Sequence, residues 1–266
     1  MSEGFSPPGG WRIERHASLG STNDEARRLA LSGDPGNLWV VADEQSHGRG
    51  RLGRQWASPP GNLYASALLV DPAPIALAAQ IGFVAGIALQ GAVAQLGAGD
   101  VKLKWPNDLV HNGAKLAGLL VEGVALGHGR LACLVGFGVN CASAPAGLAY
   151  PTTSLQAALG ASIAPHDLLA ALAPRFARAL RLWSAGEGFA GVRAAWLAQA
   201  AGLGGPIRIA GAGLPREGLF ETLDARGRLV LRRRDGLETI ETGDLVFLQQ
   251  GEGAASPVPA ESITPQ

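Results

Sequence analysis

The sequence predicts an α/β (α+β) protein whose mixed, largely antiparallel sheet is flanked by helices and followed by a small C-terminal β-barrel. Apolar segments with strand character occur at four places before residue 150: 38–44, 62–70, 101–105 and 130–140. Helical periodicity is found between them at 71–100 and dominates 152–200. From residue 204 the chain becomes a series of short strands divided by glycine and Asp-Gly turns, which is the pattern of a small barrel.

Local signals set the order of the first elements. A helix is predicted over 18–32, where Thr22 and Glu25 have the spacing of a capping box. The strand at 38–44 leads into an arginine-rich loop, and the strand at 62–70 leaves it. Further along, the Asn112-Gly113 pair between two apolar segments predicts a tight hairpin turn, and therefore antiparallel strands on either side of it.

The stretch between Asp71 and Asp100 contains no charged residue. Its length and its small residues at helical spacing allow a membrane span as one interpretation. Glutamines at positions 80, 90 and 95 interrupt it, however, and two prolines at its beginning fit a helix start. We therefore expect a helix buried in a globular core, and no membrane partner.

Composition excludes several classes of protein. Lysine plus arginine equals aspartate plus glutamate at 22 each, so the chain lacks the basic excess of a general nucleic-acid binder. The two cysteines, Cys133 and Cys141, are not in a CxxC spacing and are predicted to be buried thiols, which suits a reducing cytoplasm. The N-terminal sequence lacks the pattern of a signal peptide.

The predicted organisation has four parts. The 266 residues can bury a full core in one or two domains. We divide them into an N-terminal extension, a main α/β domain, a small β-barrel and a disordered tail: 1–17, 18–203, 204–250 and 251–266.

The loop "GRGRLGR" at 48–54 is the first candidate functional segment. It matches G-x-G-x-x-G, but the following "RQWASPPGN" cannot begin a helix, so a dinucleotide site of the Rossmann type is not expected. The chain also lacks the GxxxxGK[ST] motif of a phosphate-binding P-loop. An RNA-binding Arg-Gly loop and an ordinary solvated loop remain as alternatives. Glycine lets backbone N–H groups approach a ligand, and arginine pairs with carboxylate or phosphate, so a loop that closes over an acyl phosphate or adenylate and excludes water is favoured.

A second candidate segment contains "KWPND" at 104–108 and Lys115 beyond the predicted turn. The hairpin places Lys115 across from Val110 and close to Asp108. An ammonium beside a carboxylate and an amide suits a phosphate with a bridging metal. The alternative is an ordinary hairpin with solvated lysines. In the same way, "STN" at 21–23 can serve simply as a helix cap.

Taken together, these motifs resemble those of the biotin protein ligases, the biotin–[biotin carboxyl carrier protein] ligases. The ordered set spans roughly residues 18 to 140 and comprises STN at 21–23, Gln45, GRGRLGR at 48–54, Trp56, KWPND at 104–108, KLAG at 115–118 and GFGVN at 136–140. The resemblance implies a fold like that of the class II synthetases and biotin–lipoate ligases, with an SH3-like C-terminal barrel and 18–203 as the biotin- and ATP-binding catalytic domain.

The resemblance also implies an activity. ATP and biotin, with Mg²⁺, give biotinyl-5′-AMP and pyrophosphate, and a lysine of a biotin carboxyl carrier domain then takes the biotinyl group. Lys115 and Arg51 are the implied catalytic residues, and Asp108 is the implied metal ligand. The implied biotin contacts are Ser21, Thr22, Asn23, Gln45, Arg49, Gly50, Arg51 and Lys115. The implied nucleotide contacts are Arg49, Arg51, Trp56, Lys104, Asn107, Lys115 and Asn140. Trp56 and Trp105 are expected to wall the pocket.

Three alternatives to this function remain. A lipoate–protein ligase shares the general architecture and chemistry, although its RRxSGGG stretch is absent here. An RNA-binding module and an inactive biotin binder are the others. Some biotin protein ligases carry a DNA-binding helix-turn-helix domain. Only about 17 residues precede the predicted helix that contains "STN", so we expect no sequence-specific DNA binding. The oligomeric state stays open, with a homodimer included.

Overall fold

The computed structural model describes residues 10–211 and 214–248. The predicted disordered tail at 251–266 lies outside these residues. The larger of two sheets has seven strands: β1 (Arg12–Leu19), β2 (Leu38–Gln45), β3 (Leu63–Val70), β4 (Lys102–Lys104), β5 (Asp108–His111), β6 (Ala114–Gly127) and β7 (Arg130–Val139). Their order is β1-β2-β3-β7-β6-β5-β4. Only the β1–β2 pair of this sheet is parallel, so the predicted mixed, largely antiparallel sheet is confirmed.

Five helices flank this sheet: α1 (Thr22–Leu31), α2 (Ile81–Gln95), α3 (Leu155–Leu159), α4 (Pro165–Trp183) and α5 (Phe189–Ala198). Alternation along β3 sends Ala65, Ala67 and Leu69 to one face, where α2 and α4 form the main core with them. On the opposite face, Leu68 packs with Ala26 of α1 in a smaller cluster. The cluster formed with α1 covers only part of this face of the sheet. The uncovered part of the same face leaves space for a cavity.

Helix α2 is the charge-free segment identified in the sequence. With the 3₁₀ turn before it, Ile75–Gln95 is long and apolar enough to cross a membrane by length and composition. Yet 56% of its most apolar window is buried within the protein, and α2 packs against both α4 and α5. This confirms the predicted core helix.

The second sheet forms a small β domain with five strands: β8 (Pro206–Ala210), β9 (Arg216–Leu223), β10 (Leu229–Arg233), β11 (Gly236–Ile240) and β12 (Asp244–Phe247). All of its pairs are antiparallel, in the order β11-β10-β9-β8-β12. The predicted small β domain is confirmed, and the boundary placed at 203/204 falls between α5 and β8. Among the described residues, no ladder joins β11 to β12 to close the sheet into a barrel.

Two predictions about the N-terminal region are wrong. Arg12–Leu19 is not part of an extension preceding the fold, because it pairs with β2 as the edge strand β1. The sequence analysis missed this strand because many of its side chains are charged, and an edge strand needs little apolar alternation. The helix predicted from residue 18 therefore begins only at Thr22.

The predicted capping box is also wrong. Ser21 occupies the N-cap position, and its side chain makes no capping hydrogen bond. The Thr22 hydroxyl instead donates to Gln45, and the Glu25 carboxylate pairs with Arg28 one turn along the helix. The "STN" segment is thus turned toward β2, and its polar groups serve the cavity described below.

Candidate active site

A cavity opens on the α1 side of the larger sheet, between the start of α1, the arginine loop and the β5–β6 hairpin. Many of the predicted site residues line it: Ser21, Thr22, Asn23, Gln45, Arg49, Gly50, Arg51, Trp56, Asn107, Asp108 and Lys115. These residues come from five separate stretches of the chain, so the fold brings together most of the predicted site. The small β domain adds Asp244 to the wall.

Glycines form the floor of the cavity. Gly118 on β6 pairs directly with Gly138 on β7, and the Trp56 ring lies on both. A Cβ on Gly138 would come within 2.6 Å of the Trp56 ring, and one on Gly136 would come within 2.8 Å of Asn23 Oδ1. No side chain fits there without moving these neighbours. The alternating glycines of "GFGVN" therefore make room for the side chains that define the cavity.

Hydroxyl and amide groups fill one end of the cavity. The Thr22 backbone N–H donates to Gln45 Oε1 at 2.8 Å, and the Gln45 amide donates to Ser58 at 3.0 Å. The buried Ser66 hydroxyl lies 2.7 Å from Thr22 Oγ1 and 2.6 Å from Asn23 Oδ1. This end holds neutral donors and acceptors in fixed orientations, which suits a neutral polar group such as a urea.

Asn23 is oriented from both sides of its amide. Its oxygen faces Ser66, while its nitrogen donates to Glu122 Oε2 at 2.7 Å. Because Glu122 accepts and the hydroxyl of Ser66 can donate, only one orientation of the Asn23 amide satisfies both neighbours. Neither Ser66 nor Glu122 lines the cavity itself.

The three arginines of the loop have different partners. Arg49 makes a bidentate contact with Asp24, at 2.5 and 2.7 Å, and lies 3.5 Å from Glu122. This hydrogen bonding lowers the pKa of the Asp24 carboxyl below its usual value and raises the pKa of Arg49. Arg54 forms an ion pair with Asp244 of the small β domain.

Arg51 differs, because its contacts are long and mostly with neutral oxygens. It donates to Asn107 Oδ1 at 3.3 Å, and to Thr242 Oγ1 and the Gly243 carbonyl at 3.3 and 3.4 Å. The closest carboxylate, that of Asp244, is 3.8 Å away. Arg51 is therefore aimed into the cavity by neutral groups and keeps most of its charge available for an anion.

Lys115 reaches the same cavity from β6. Its ammonium is 2.8 Å from Asp108 Oδ1 and lies over the rings of Trp56 and Tyr150, at 5.4 and 5.7 Å from their centroids. Val110 pairs with Lys115 in the hairpin, as predicted from the Asn112-Gly113 turn. The prediction that the turn brings Lys115 close to Asp108 is confirmed.

A second cavity adjoins the first and shares four of its residues: Gln55, Trp56, Lys115 and Tyr150. Asn140 lines this second cavity with Leu148 and Thr152. The Asn140 side chain donates to the Thr153 carbonyl at 3.0 Å, which holds the segment after β7 in place. Lys115 thus stands where the two cavities meet.

Two predicted residues are not brought to the cavity. Trp105 is only 2% exposed, and its indole donates to the Gly227 carbonyl of the small β domain at 3.2 Å. The expectation that Trp105 walls the pocket is wrong, because this ring fills the contact between domains. Lys104 lines neither cavity, and its ammonium lies 5.4 Å from the ring centroid of Phe247. Burial lowers its pKa.

The cavity offers few metal ligands. Asp108 is the single predicted one, and Lys115 already neutralises it. Within residues 10–211 and 214–248, the only three His, Cys, Asp or Glu side chains that converge closely are Glu14, His16 and Glu25, and none of them lines the cavity. The donor set fits a Mg²⁺ ion held mainly by phosphate oxygens, with at most a carboxylate or two from the protein.

Several important residues were not predicted from sequence. Three residues outside the cavity wall orient side chains of the predicted site: Asp24, Ser66 and Glu122. A single sequence gives no sign of such contacts. Asp244 reaches the site from about 190 residues away along the chain. The roles of three glycines could have been predicted from sequence, because glycines at alternate strand positions leave one face of a sheet without side chains. These are Gly118, Gly136 and Gly138.

An α/β domain with a mostly antiparallel sheet, followed by a small β domain, is the architecture found in biotin protein ligases. The family model described as "Biotin/lipoate A/B protein ligase family" matches residues 17–140. The chain is 43% identical over 242 residues to the biotin–[acetyl-CoA-carboxylase] ligase of Paracoccus denitrificans, an alignment that covers 87% of this chain and 98% of that relative. The chain belongs to this family.

Solved structures agree with this assignment. The biotin protein ligase from Aquifex aeolicus in complex with biotin and ATP superposes with a TM-score of 0.77 and 26% identity, over 90% of this chain and 99% of that one. The biotin protein ligase from Leishmania major in complex with biotinyl-5-AMP gives a TM-score of 0.63 and 27% identity, over 89% and 100%. The predicted family and fold class are therefore confirmed.

Proposed function

We propose that this protein is a biotin–[biotin carboxyl carrier protein] ligase. It uses ATP to convert biotin to biotinyl-5′-AMP, and it transfers the biotinyl group to a lysine of a carrier domain in a biotin-dependent carboxylase. The relatives named for biotin ligation and the complexes with biotin, ATP and biotinyl-5-AMP support this proposal.

One observation carries the proposal. Lys115 lines both cavities, and Arg51 lines the first with its charge largely uncompensated by the protein. The first cavity offers hydroxyls and amides for the ureido ring of biotin, through Thr22 and Gln45 in particular. The second offers Trp56 and Asn140 to a nucleotide. The carboxylate of one ligand and the α-phosphate of the other then meet at Lys115.

The first step forms a mixed anhydride. A carboxylate oxygen of biotin attacks the α-phosphorus of ATP, and the bond from that phosphorus to the bridging oxygen of pyrophosphate breaks. Pyrophosphate leaves with the electron pair. Negative charge builds on the phosphoryl oxygens in the transition state, and cations that are already in position stabilise it there. Lys115 and Arg51 are the catalytic residues assigned to that role.

The second step forms an amide. The ε-amine of the carrier lysine attacks the acyl carbon of biotinyl-5′-AMP, the bond between that carbon and the phosphate oxygen breaks, and AMP leaves with the electron pair. The amine loses a proton to water or to a phosphate oxygen. Between the two steps the anhydride needs protection from water, and the arginine loop covers it.

Mg²⁺ is proposed to arrive with the ATP phosphates, whose charge it neutralises when bound. Asp108 is the cavity residue with a carboxylate beside the proposed phosphate position, and Asp244 lines the rim. Lys104, outside the cavity wall, stays a proposed nucleotide contact. The chain's own residues hold the phosphates chiefly through Arg51 and Lys115.

The cytoplasm is the proposed compartment. Both cysteines are buried and free, and burial raises the pKa of Cys133 to about 11 and that of Cys141 to about 12. Such thiols are inert and suit a reducing environment. A homodimer stays a prediction. Among residues 10–211 and 214–248, no strand pairs with the outer edge of β1, and this edge is the proposed dimer contact. Light scattering measures the molecular mass that tests it.

The test is mass spectrometry of a carrier domain after incubation with the protein, ATP, Mg²⁺ and biotin. One added biotinyl group on a single lysine is the expected result, together with ATP–pyrophosphate exchange that requires biotin. Exchange that requires lipoate instead would identify a lipoate ligase. The absence of both reactions, with salt-sensitive RNA binding, would favour the Arg-Gly RNA-binding alternative.

A further inference from the structure

Arg54 is the arginine of the loop that the proposed chemistry leaves without a task. It forms a close ion pair with the other domain, because its partner is Asp244 at the start of β12. Arg49 is held by Asp24 within the main domain, and Arg51 faces the cavity. The Arg54–Asp244 contact therefore joins the loop to the small β domain at the rim of the cavity.

The turn that presents Asp244 packs closely on the core of the small domain. Gly243 has a φ of +155°, and a Cβ there would come within 2.5 Å of Ile209. Ile209 is 1% exposed in the core of the small domain, and Asp244 pairs with Ala210 beside it. The turn thus packs directly on that core, and glycine is required at its tip. Asp244 is a fixed anchor rather than part of a loose loop.

The small domain is itself attached to the main one. The buried indole of Trp105 donates to the Gly227 carbonyl at 3.2 Å, and Phe83 of α2 packs against the same glycine. Arg193 of α5 donates to the Leu223 carbonyl. With the domain held in this way, an ion pair from Asp244 restrains the arginine loop relative to the cavity floor.

We propose that Asp244 is a positioning residue whose ion pair with Arg54 latches the arginine loop over the cavity. The same turn also orients Arg51, through Thr242 Oγ1 and the Gly243 carbonyl. The turn at 242–244 therefore both restrains the loop and directs the Arg51 guanidinium into the cavity. The inference rests on the proposed function, because the latch acts by keeping biotinyl-5′-AMP enclosed. Opening the loop releases the adenylate and admits water.

A different role for Arg54 predicts the opposite behaviour. If Arg54 left Asp244 to bind the phosphate directly, the Asp244 carboxylate would compete with the ligand. Removing that carboxylate would then free Arg54 and slow adenylate release. In a latch, Asp244 and Arg54 act together, and the loss of either side speeds release.

The experiment measures how fast preformed biotinyl-5′-AMP, labelled with tritium in its biotin moiety, leaves the protein after rapid gel filtration. Asp244→Asn, Arg54→Gln and the double variant are compared with the unchanged protein. The pair is largely solvent-exposed, so each single variant is expected to speed release by about two- to fivefold. The double variant is expected to match the single variants, because both remove one interaction. Asp244→Glu, which keeps the charge, is expected to recover part of the retention.

Asp235→Asn is the matched control, since Asp235 is an exposed acid elsewhere in the small domain that lies near Arg233. It is expected to leave release unchanged. Slower release in Asp244→Asn, additive effects in the double variant, or no effect in any variant would overturn the latch while leaving the ligase intact. If the unchanged protein forms no adenylate, the proposed function fails together with the latch.

Discussion

The Lys115 ammonium lies 2.8 Å from Asp108 Oδ1, across the hairpin that the Asn112-Gly113 turn closes. The ion pair fixes the ammonium at the junction of the two cavities, where a carboxylate and an α-phosphate are proposed to meet. A cation held in advance at that point stabilises the transition state more than the bound substrates. Lys115 is therefore expected to matter more for rate than for binding.

Lys115→Ala is expected to slow biotin-dependent ATP–pyrophosphate exchange by roughly 100-fold or more, the usual effect of losing one positioned charge-stabilising group. Biotin affinity is expected to change by less than about threefold, since the proposed ureido contacts lie elsewhere. Exchange kinetics and calorimetric titration with biotin measure the two effects. Lys102→Ala removes an exposed lysine of β4 and serves as the control. Normal exchange in Lys115→Ala would remove this residue from the mechanism.

Arg51→Ala is expected to weaken retention of biotinyl-5′-AMP. Arg51 is held by neutral oxygens 3.3 to 3.4 Å away, so its charge is available to the phosphate. Loss of a charge-assisted contact of about 2 kcal/mol corresponds to release that is roughly 30-fold faster. Stopped-flow measurement of release provides the test, with the exposed Arg178→Ala as control. An unchanged release rate in Arg51→Ala would contradict the assignment.

The sequence predicted the elements with strong local signals. Asn112-Gly113 predicted the hairpin and its Lys115–Val110 pairing, because that turn permits few registers. The charge-free α2 was predicted as a core helix, since polar glutamines interrupt it. By contrast, the β1 edge strand carries few apolar residues, and a single sequence does not reveal parallel pairing between segments separated by a helix.

Within the site, the residues proposed to contact the ligands were more predictable than those that position them. Arginine, lysine and amide side chains in glycine-rich motifs already indicate the chemistry of a ligand. Glu122 and Asp244 reach their partners through the fold alone, from 99 and 190 residues away. Trp105 shows the opposite error, because an aromatic residue beside a motif was assigned to the pocket and instead fills the domain contact.

Gly138→Ala is expected to disrupt the cavity. The added Cβ would lie 2.6 Å from the Trp56 ring, so the ring must leave the floor formed by Gly118 and Gly138. Ligand binding is expected to weaken by about tenfold or more, because roughly 1–3 kcal/mol is typical of overpacking a closely packed site. Calorimetry with biotin and with ATP measures this. Gly191→Ala in α5, where an added Cβ meets no atom within 4 Å, is the matched control. Equal affinities in the two variants would refute the proposed floor.

Glu122→Gln is expected to lower biotin affinity by roughly tenfold, although Glu122 does not line the cavity. The carboxylate accepts from Asn23 Nδ2 at 2.7 Å and lies 3.5 Å from Arg49, so it orients one ligand group and helps to hold another. A hydrogen bond to a charged group contributes about 1.5–3 kcal/mol, of which glutamine keeps a part. Biotin titration and thermal denaturation separate affinity from stability. Glu187→Gln is the control. A variant that loses stability but binds biotin normally would show a purely structural role.

The buried Lys104 is expected to make the stability of the protein depend on pH. Burial lowers its pKa from the usual value of 10.5, so the unfolded chain binds the proton more tightly than the folded one. Its contribution to the free energy of unfolding is therefore unfavourable below the lowered pKa, and it becomes less unfavourable as the pH rises from there toward 10.5. Lys104→Met removes the buried charge and is expected to raise Tm at pH 7 and to flatten this rise. Thermal denaturation across pH 7 to 10.5 measures both effects, with the exposed Lys102→Met as control.

A lower Tm of Lys104→Met at pH 7 would mean that attraction to Asp108 and Asp244 outweighs burial. A raised KM for ATP would support the proposed nucleotide contact.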